Sequence, residues 1–212
     1  MNPFVRLSKD KFNYSPLLDE QLKIYLNSYS LEKENLSFRL LFYHLASCNL
    51  IGLKPAWSLE YIMSLKYKLM NLEDKFYAKK ILKEFYAMNI DWKIKEGWRT
   101  IKELYMSLYI NDGMINGIDK RDIIQWINAC QNPDGGFGFL PNSTSFIENT
   151  YFSLSCFLLL KESPDYITKI SDFVFSCYTG KGGFSRKDGG APLLDATYYA
   201  IKCLLLLKEL NK

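Results

Sequence analysis

The sequence predicts an all-α protein built as an array of helix hairpins. Residues 119–209 contain one structural unit twice, without a gap, at a constant offset of 47 residues, as between Gly135 and Gly182. Each unit has two apolar segments at helical spacing, joined by a Gly-Gly-Phe turn. A fixed offset over many matched residues indicates a repeat architecture. The matched pairs include Cys130 and Cys177, Phe137 and Phe184, Glu148 and Asp195, Thr150 and Thr197, Tyr151 and Tyr198, and Cys156 and Cys203.

The first segment of each unit predicts an amphipathic helix. In the first unit, Ile123, Trp126, Ile127 and Cys130 recur at i, i+3, i+4 and i+7, the spacing of one helix face. Paired glycines then permit positive φ and close backbone approach, so the helix ends and the chain turns. We expect the phenylalanine after each glycine pair to fix the turn to the core.

The second segment of each unit begins at Glu148 or Asp195, and a carboxylate in the first turn suits the positive end of the helix dipole. The segments 151–160 and 198–207 are apolar on nearly all sides, which predicts burial on most sides. Each unit is therefore an outer amphipathic helix, a turn and an inner buried helix. Such units stack because one alone cannot bury its inner helix.

The N-terminal part is predicted to be helical as well, as diverged hairpins over residues 1–113 that lack the Gly-Gly-Phe turn. With the two regular repeats of residues 119–209, about nine or ten helices are expected in one domain, 1–212. The loop 111–117 is the candidate hinge between the two parts. The predicted N-terminal helices are Leu17–Ser28, Glu34–Leu50, Ser58–Met70, Glu73–Met88 and Gly97–Ile110.

The repeat resembles a known family. Cys130-Gln131 followed by residues 134–138 and 148–151, and again residues 182–184 followed by 195–199, are similar to the repeat of protein prenyltransferase β subunits and squalene cyclases. The resemblance implies an α/α toroid of concentric helix hairpins around an apolar central cavity. A closed ring of this kind has six hairpins, and this chain is shorter by one or more. It is therefore expected to form an open arc, a smaller ring or part of an assembly, with self-association or a partner subunit.

Composition excludes several classes of function. The 27 basic and 23 acidic residues give a net charge of +4, too balanced to indicate nucleic-acid binding. No apolar run is long enough to span a membrane, and the N-terminus lacks the pattern of a signal peptide. Four of the five cysteines occupy matched helical positions, which favours buried thiols and a cytoplasmic location. The aromatic content of 16% fits either large core side chains or an aromatic-lined cavity.

The resemblance implies a zinc site, but the matching positions of this sequence do not carry the full set of zinc ligands. The family's zinc transferases use an Asp, a Cys two residues later and a His from the next repeat; the matching positions are Asp195 and Thr197, or Glu148 and Thr150. The thiolate is threonine in both repeats, and His44 is the only histidine. Zinc needs about three protein ligands of Cys, His or carboxylate type. We therefore expect neither a metal site nor another cofactor.

The acid motif of the terpene cyclases is also incomplete. The family motif Asp-x-Asp-Asp aligns with residues 146–149, where only Glu148 is acidic, and the second repeat offers only Asp195. Alkene protonation needs a strong acid tuned by a partner carboxylate. Whether the chain is an enzyme stays open; if it is one, the activity would be that of a prenyltransferase or terpene cyclase with a rebuilt site.

The leading hypothesis is a soluble protein that binds an isoprenoid-like or other apolar ligand in a central cavity. An interaction module or subunit of a larger toroid is the alternative. The matched acid, threonine and tyrosine also have an architectural explanation: the acid caps the inner helix, threonine bonds locally and tyrosine lines the hairpin interface. Predicted ligand contacts are Glu148, Tyr151, Asp195, Tyr198 and Tyr199, with Arg186 and Lys187 for an anionic head group and His44 from the early apolar helix.

Overall fold

The computed structural model describes residues 24, 37–50, 52–53, 58–65, 71–92, 94, 97–180 and 182–210. These residues form eight α-helices and no strand, which confirms the predicted all-α class. The chain divides into two compact units, residues 1–90 and 91–212. The helices are α1 (Phe38–Leu50), α2 (Leu59–Ser64), α3 (Leu72–Tyr86), α4 (Ile101–Ile110), α5 (Lys120–Ala129), α6 (Ile147–Leu160), α7 (Ile167–Ser176) and α8 (Leu194–Leu210).

In the unit of residues 1–90, α1 packs against α3. The ring of Phe42 in α1 lies 5.6 Å from that of Tyr77 and 5.9 Å from that of Phe85 in α3. Helix α2 begins where the Ser58 hydroxyl accepts a hydrogen bond from the Tyr61 amide at 3.1 Å, a usual N-cap arrangement. Within the described residues, the predicted helices over 34–50, 58–70 and 73–88 correspond to these three. Residues 34–36 and 66–70 lie outside the described residues. The predicted helix 17–28 lies outside the described residues except for residue 24.

In the unit of residues 91–212, the two repeats form hairpins α5–α6 and α7–α8. The inner helices lie in a row, with α6 packed between α4 and α8. Helix α4 starts with a capping box in which Thr100 and Glu103 each bond the other's backbone amide. All five cysteines are buried and unpaired with one another, as their helical positions predict. Burial raises the pKa of the Cys130 thiol to about 12.

The two Gly-Gly-Phe turns share one hydrogen-bond pattern. Three backbone hydrogen bonds recur at the offset of the sequence repeat, so the repeat in sequence is also a repeat in geometry. In the first unit, the amides of Asn132, Gly138 and Phe146 donate to the carbonyls of Gly136, Cys130 and Phe137, respectively. In the second unit, the amides of Thr179, Ser185 and Leu193 donate to the carbonyls of Gly183, Cys177 and Phe184, respectively.

The matched threonine joins each turn to its inner helix. The Thr150 hydroxyl accepts a hydrogen bond from the Phe137 amide at 3.1 Å and donates one to the Phe146 carbonyl at 3.1 Å. Thr197 makes the same two bonds in the second repeat, at 2.9 and 2.8 Å. The side chain of Phe146, the N-cap residue of α6, makes no capping hydrogen bond. The threonine hydroxyl thus links the turn to the start of the inner helix, because it bonds both.

The two inner helices differ in burial although their sequences match. Helix α6 is buried on most sides, as predicted, because it packs between α4 and α8. Helix α8 packs mainly against α6 and α7. The prediction of burial on most sides is therefore wrong for one face of α8, where Leu194 is 90% exposed and Leu205 is 57% exposed.

Candidate functional site

Three charged side chains meet at the beginnings of α6 and α8. Arg186, in the loop before α8, donates a hydrogen bond from Nη2 to Oδ2 of Asp195 at 2.6 Å, and its Nε lies 4.0 Å from Oε2 of Glu148. The Arg186 carbonyl also accepts a hydrogen bond from the Ile147 amide at 2.8 Å, which ties this loop to the start of α6. We call Glu148, Arg186 and Asp195 the ion cluster; its net formal charge is −1.

The ion cluster is partly exposed, so its electrostatic effects are screened by water. The hydrogen bond from Arg186 lowers the pKa of Asp195, and the same bond, followed by the charge of Glu148, raises the pKa of the guanidinium. Asp195 also accepts a hydrogen bond from the amide of Ala196 at 2.9 Å, within the first turn of α8, and its predicted role as a helix cap stays a prediction. With its pKa lowered, Asp195 is therefore ionised near neutral pH.

Aromatic rings from three inner helices form a continuous row beside the ion cluster. The row runs from the Tyr105 ring of α4 to Phe152 at 5.7 Å and Tyr151 at 6.1 Å, both on α6. The Tyr151 ring lies 5.4 Å from that of Tyr199 in α8, which in turn lies 5.4 Å from that of Tyr198. We call these five side chains the aromatic row. The five rings belong to α4, α6 and α8. The sequence predicts α6 and α8 as inner helices, and α4 packs against α6.

Burial changes along the aromatic row. Tyr105 and Tyr151 are buried, Phe152 and Tyr199 are half-buried, and Tyr198 is 49% exposed. Burial raises the pKa of the Tyr105 phenol well above its usual value. Asp195 precedes Tyr199 by four residues, about one turn of α8, so the ion cluster lies near the half-buried part of the row. The accessible part of the row is therefore formed by Phe152, Tyr199 and Tyr198, beside the ion cluster.

Two of the residues predicted from the sequence lie apart from this site. The Lys187 side chain lines a different, open cleft of about 460 Å³. That cleft lies at the turns and the outer helix α7, and its lining includes three aspartates and one lysine. Arg186 and Lys187 are adjacent in the chain but face different surroundings, so the anion site proposed from both together stays a prediction. The cleft is lined by Asp134, Thr144, Ser145, Asp172, Phe173, Ser176, Lys187 and Asp188.

His44 belongs to the unit of residues 1–90. It lies in α1, is 7% exposed, and its Nε2 is 3.4 Å from the buried Cys48 Sγ. Burial lowers the pKa of His44, so the imidazole is favoured in its neutral form. This contact between His44 and Cys48 joins neighbouring turns of α1. The ligand-binding role of His44 stays a prediction.

The structure adds Tyr105 and Phe152 to the residues named from the sequence. Phe152 follows Tyr151 within the repeat motif and aligns with Tyr199, so the repeat itself contained the signal for it. Tyr105 lies in the diverged part of the chain, where no Gly-Gly-Phe turn marks the register. Its place in the row follows from the packing of α4 against α6.

The residues at the family's zinc positions do not fit a zinc ion. The Thr197 hydroxyl is already used by the turn and the helix start, and Asp195 is hydrogen-bonded to Arg186. Neither a thiolate nor an imidazole is present beside them in the described contacts. Over the residues that the structure describes, no group of three or more His, Cys, Asp or Glu side chains could hold a metal ion.

The fold and this site define a helical-hairpin repeat protein whose inner helices carry an aromatic surface. A comparison with protein families agrees: residues 13–212 match the prenyltransferase alpha-alpha toroid domain, and the chain belongs to that family. No curated protein sequence matches the chain. Within the described part of the chain, none of the helices combines the length and the apolar character that crossing a membrane requires.

Proposed function

We propose that this protein binds an isoprenoid-like or other apolar ligand against the aromatic row. The observation that supports the proposal is the continuity of the row across α4, α6 and α8. Tyrosine and phenylalanine rings offer large contact areas at a low cost in side-chain entropy, and ligand sites are lined mainly by such groups. Membership of the prenyltransferase toroid family agrees with an isoprenoid chain as the apolar part.

The ion cluster favours an uncharged head group on this ligand. Arg186 is already bonded to Asp195 and lies near Glu148, so the cluster is net negative. A diphosphate would have to displace a carboxylate and then sit beside two of them, which costs Coulomb energy even in partly exposed surroundings. A hydroxyl, by contrast, donates a hydrogen bond to either carboxylate. We therefore propose a prenyl alcohol or a similar neutral compound as the class of ligand.

A pair of matched ligands tests the proposal. Binding of a C15 prenyl alcohol and of the corresponding diphosphate would be compared by calorimetry or by tyrosine fluorescence. We expect the alcohol to bind at least tenfold more tightly, a difference of about 1.4 kcal/mol. Tyr199→Ala should weaken the alcohol complex at least tenfold, while Tyr166→Ala, which removes a 57% exposed tyrosine outside the row, should not.

Two outcomes would contradict this proposal. Absent binding of both ligands would remove the support for the aromatic row as a binding surface, and equal binding would contradict the preference for a neutral head group. Tighter binding of the diphosphate, lost in Arg186→Ala and Lys187→Ala, would instead support the anionic head group predicted from the sequence. Turnover of the diphosphate to a transferred or cyclised product would favour the enzymatic alternative, a prenyltransferase or terpene cyclase with a rebuilt site.

A further inference from the structure

The connection between α4 and α5 contains the one asparagine of this sequence that is followed by glycine, Asn116-Gly117. The Ile118 amide donates a hydrogen bond to the Ile115 carbonyl at 3.2 Å, and Gly117 has a φ of 80°. A positive φ at the third residue is typical of a type II turn, which favours glycine there. Ile115 is buried, whereas Asn116 and Gly117 are exposed. The turn therefore holds this dipeptide at the surface.

The two groups of this dipeptide that could react with each other are free. In the part of the chain that the structure describes, neither the Gly117 amide nor the Asn116 side chain makes a hydrogen bond. A Cβ built on Gly117 would meet no atom within 4 Å. Glycine has no side chain to resist rotation of the backbone, so the Gly117 nitrogen can approach the carboxamide carbon of Asn116.

The other described asparagines of residues 91–212 lack this combination. Asn142 is also exposed, but the amide that follows it, that of Ser143, donates a hydrogen bond to the Leu140 carbonyl at 3.2 Å. The Asn111 side chain bonds the amide and the carbonyl of Ile94, at 3.0 and 3.3 Å. The remaining ones precede proline, which has no amide hydrogen, or lie within a helix: Asn132, Asn128 and Asn149.

We propose that Asn116 is a site of spontaneous deamidation through a cyclic imide. The Gly117 amide nitrogen loses its proton and attacks Cγ of Asn116. A new N–Cγ bond forms, the Cγ–Nδ2 bond breaks, and the side-chain nitrogen leaves with that proton as ammonia. Water then opens the ring at either of its two carbonyls, which gives aspartate or a β-linked isoaspartate. Both steps need only water, and the inference does not depend on the ligand.

Either product places a new carboxylate in the connection between the two helices. The β-linked form also lengthens the backbone by one carbon between the buried Ile115 and Asp119, the N-cap residue of α5. The Asp119 side chain accepts a hydrogen bond from the Arg121 amide at 2.8 Å, so the start of α5 depends on this connection. The modification therefore changes both the charge and the length of the link between α4 and the first regular repeat.

Peptide mapping of the full chain after incubation in oxygen-18 water tests this site. Over several weeks at mildly alkaline pH, which favours loss of the amide proton, residue 116 should take up oxygen-18 in both aspartyl and isoaspartyl forms. In the folded protein this should be at least about tenfold faster than at Asn142. Unfolding in urea frees the Ser143 amide, so the rate at Asn142 should rise, whereas that at Asn116 should change little.

Two variants test the cyclic route, and a third is the control. Gly117→Ala adds a Cβ that hinders the approach of the nitrogen, and Asn116→Gln requires a larger ring, so each should slow the reaction at residue 116 at least about tenfold. The glutamine variant keeps Gly117, and it covers the case in which alanine at a positive φ distorts the turn. Gly97→Ala, also in open space, should leave the rate at Asn116 unchanged.

Four results would overturn the proposal. The first is a residue 116 that stays unmodified in the folded chain, and the second is a reaction there no faster than at Asn142. The third is aspartate formed without isoaspartate, because direct hydrolysis of the side chain gives only the α-linked product. The last is a rate at residue 116 that neither Gly117→Ala nor Asn116→Gln lowers.

Discussion

Replacing Thr150 by valine tests whether the threonine holds the turn to the inner helix. Valine keeps the shape of the side chain but removes the hydroxyl that bonds the Phe137 amide, which is buried. The Phe146 carbonyl keeps its backbone bond from the Thr150 amide at 3.0 Å, so only the Phe137 amide loses its partner. An unsatisfied buried donor costs about 1–3 kcal/mol, and we expect a loss of about 2 kcal/mol in the free energy of unfolding.

Urea unfolding followed by tryptophan fluorescence measures this loss. Three of the four tryptophans lie in the unit of residues 91–212, so the signal reports mainly on the unit that contains the change. With a slope of about 2 kcal/mol per molar urea, the midpoint should fall by about 1 M. The same substitution at Thr197 should cost less, about 1 kcal/mol, because the Phe184 amide is only partly buried and water can reach it.

Ser153→Ala is the matched control on the same helix. The Ser153 hydroxyl is buried and, in the described structure, has no hydrogen-bond partner. Its removal should leave stability unchanged or raise it, because an unpaired polar group is taken out of the core. If Thr150→Val were as stable as the wild type, or if Ser153→Ala were the more damaging change, the role assigned to the threonine would be refuted.

Two further predictions concern the turn and the ion cluster. Gly136→Ala should destabilise the protein by about 1–3 kcal/mol, since the new Cβ would lie 2.7 Å from the Phe173 ring, whereas Gly97→Ala, with open space around it, should be neutral or stabilising in thermal unfolding. Asp195→Asn should be modestly less stable than the wild type at pH 7. Because Arg186 lowers the pKa of Asp195, that difference should disappear as the pH falls below about 4; a difference that persists at pH 2 would contradict the assignment.

The repeats could be predicted from the sequence because their signals are local. A helix face follows from spacing within about two turns, and the glycine pair marks the turn directly. The bonds that Thr150 and Thr197 donate to the carbonyls four residues earlier are the local bonds predicted for these threonines. The bonds that they accept from the turn amides, thirteen residues earlier, were not predicted and are added by the structure.

The surroundings of adjacent or equivalent residues could not be predicted in this way. Arg186 and Lys187 are neighbours, yet Arg186 belongs to the ion cluster and Lys187 lines the separate cleft. Tyr151 and Tyr198 are equivalent in sequence, but one is 9% and the other 49% exposed. Such differences depend on which helices pack nearby, and that information lies in contacts between distant segments.

The residues that break the repeat locate the specific chemistry of this chain. Glu148 and Asp195 recur at one repeat position, so their presence is explained by the architecture they share. Arg186, however, stands where the first repeat has Phe139, and Tyr199 stands where it has Phe152. These two changes lie near each other, since Arg186 is hydrogen-bonded to Asp195, which precedes Tyr199 by about one turn of α8. A guanidinium and a phenol thus stand where the first repeat has two phenyl rings, near the part of the aromatic row where the polar head group of the proposed ligand would lie.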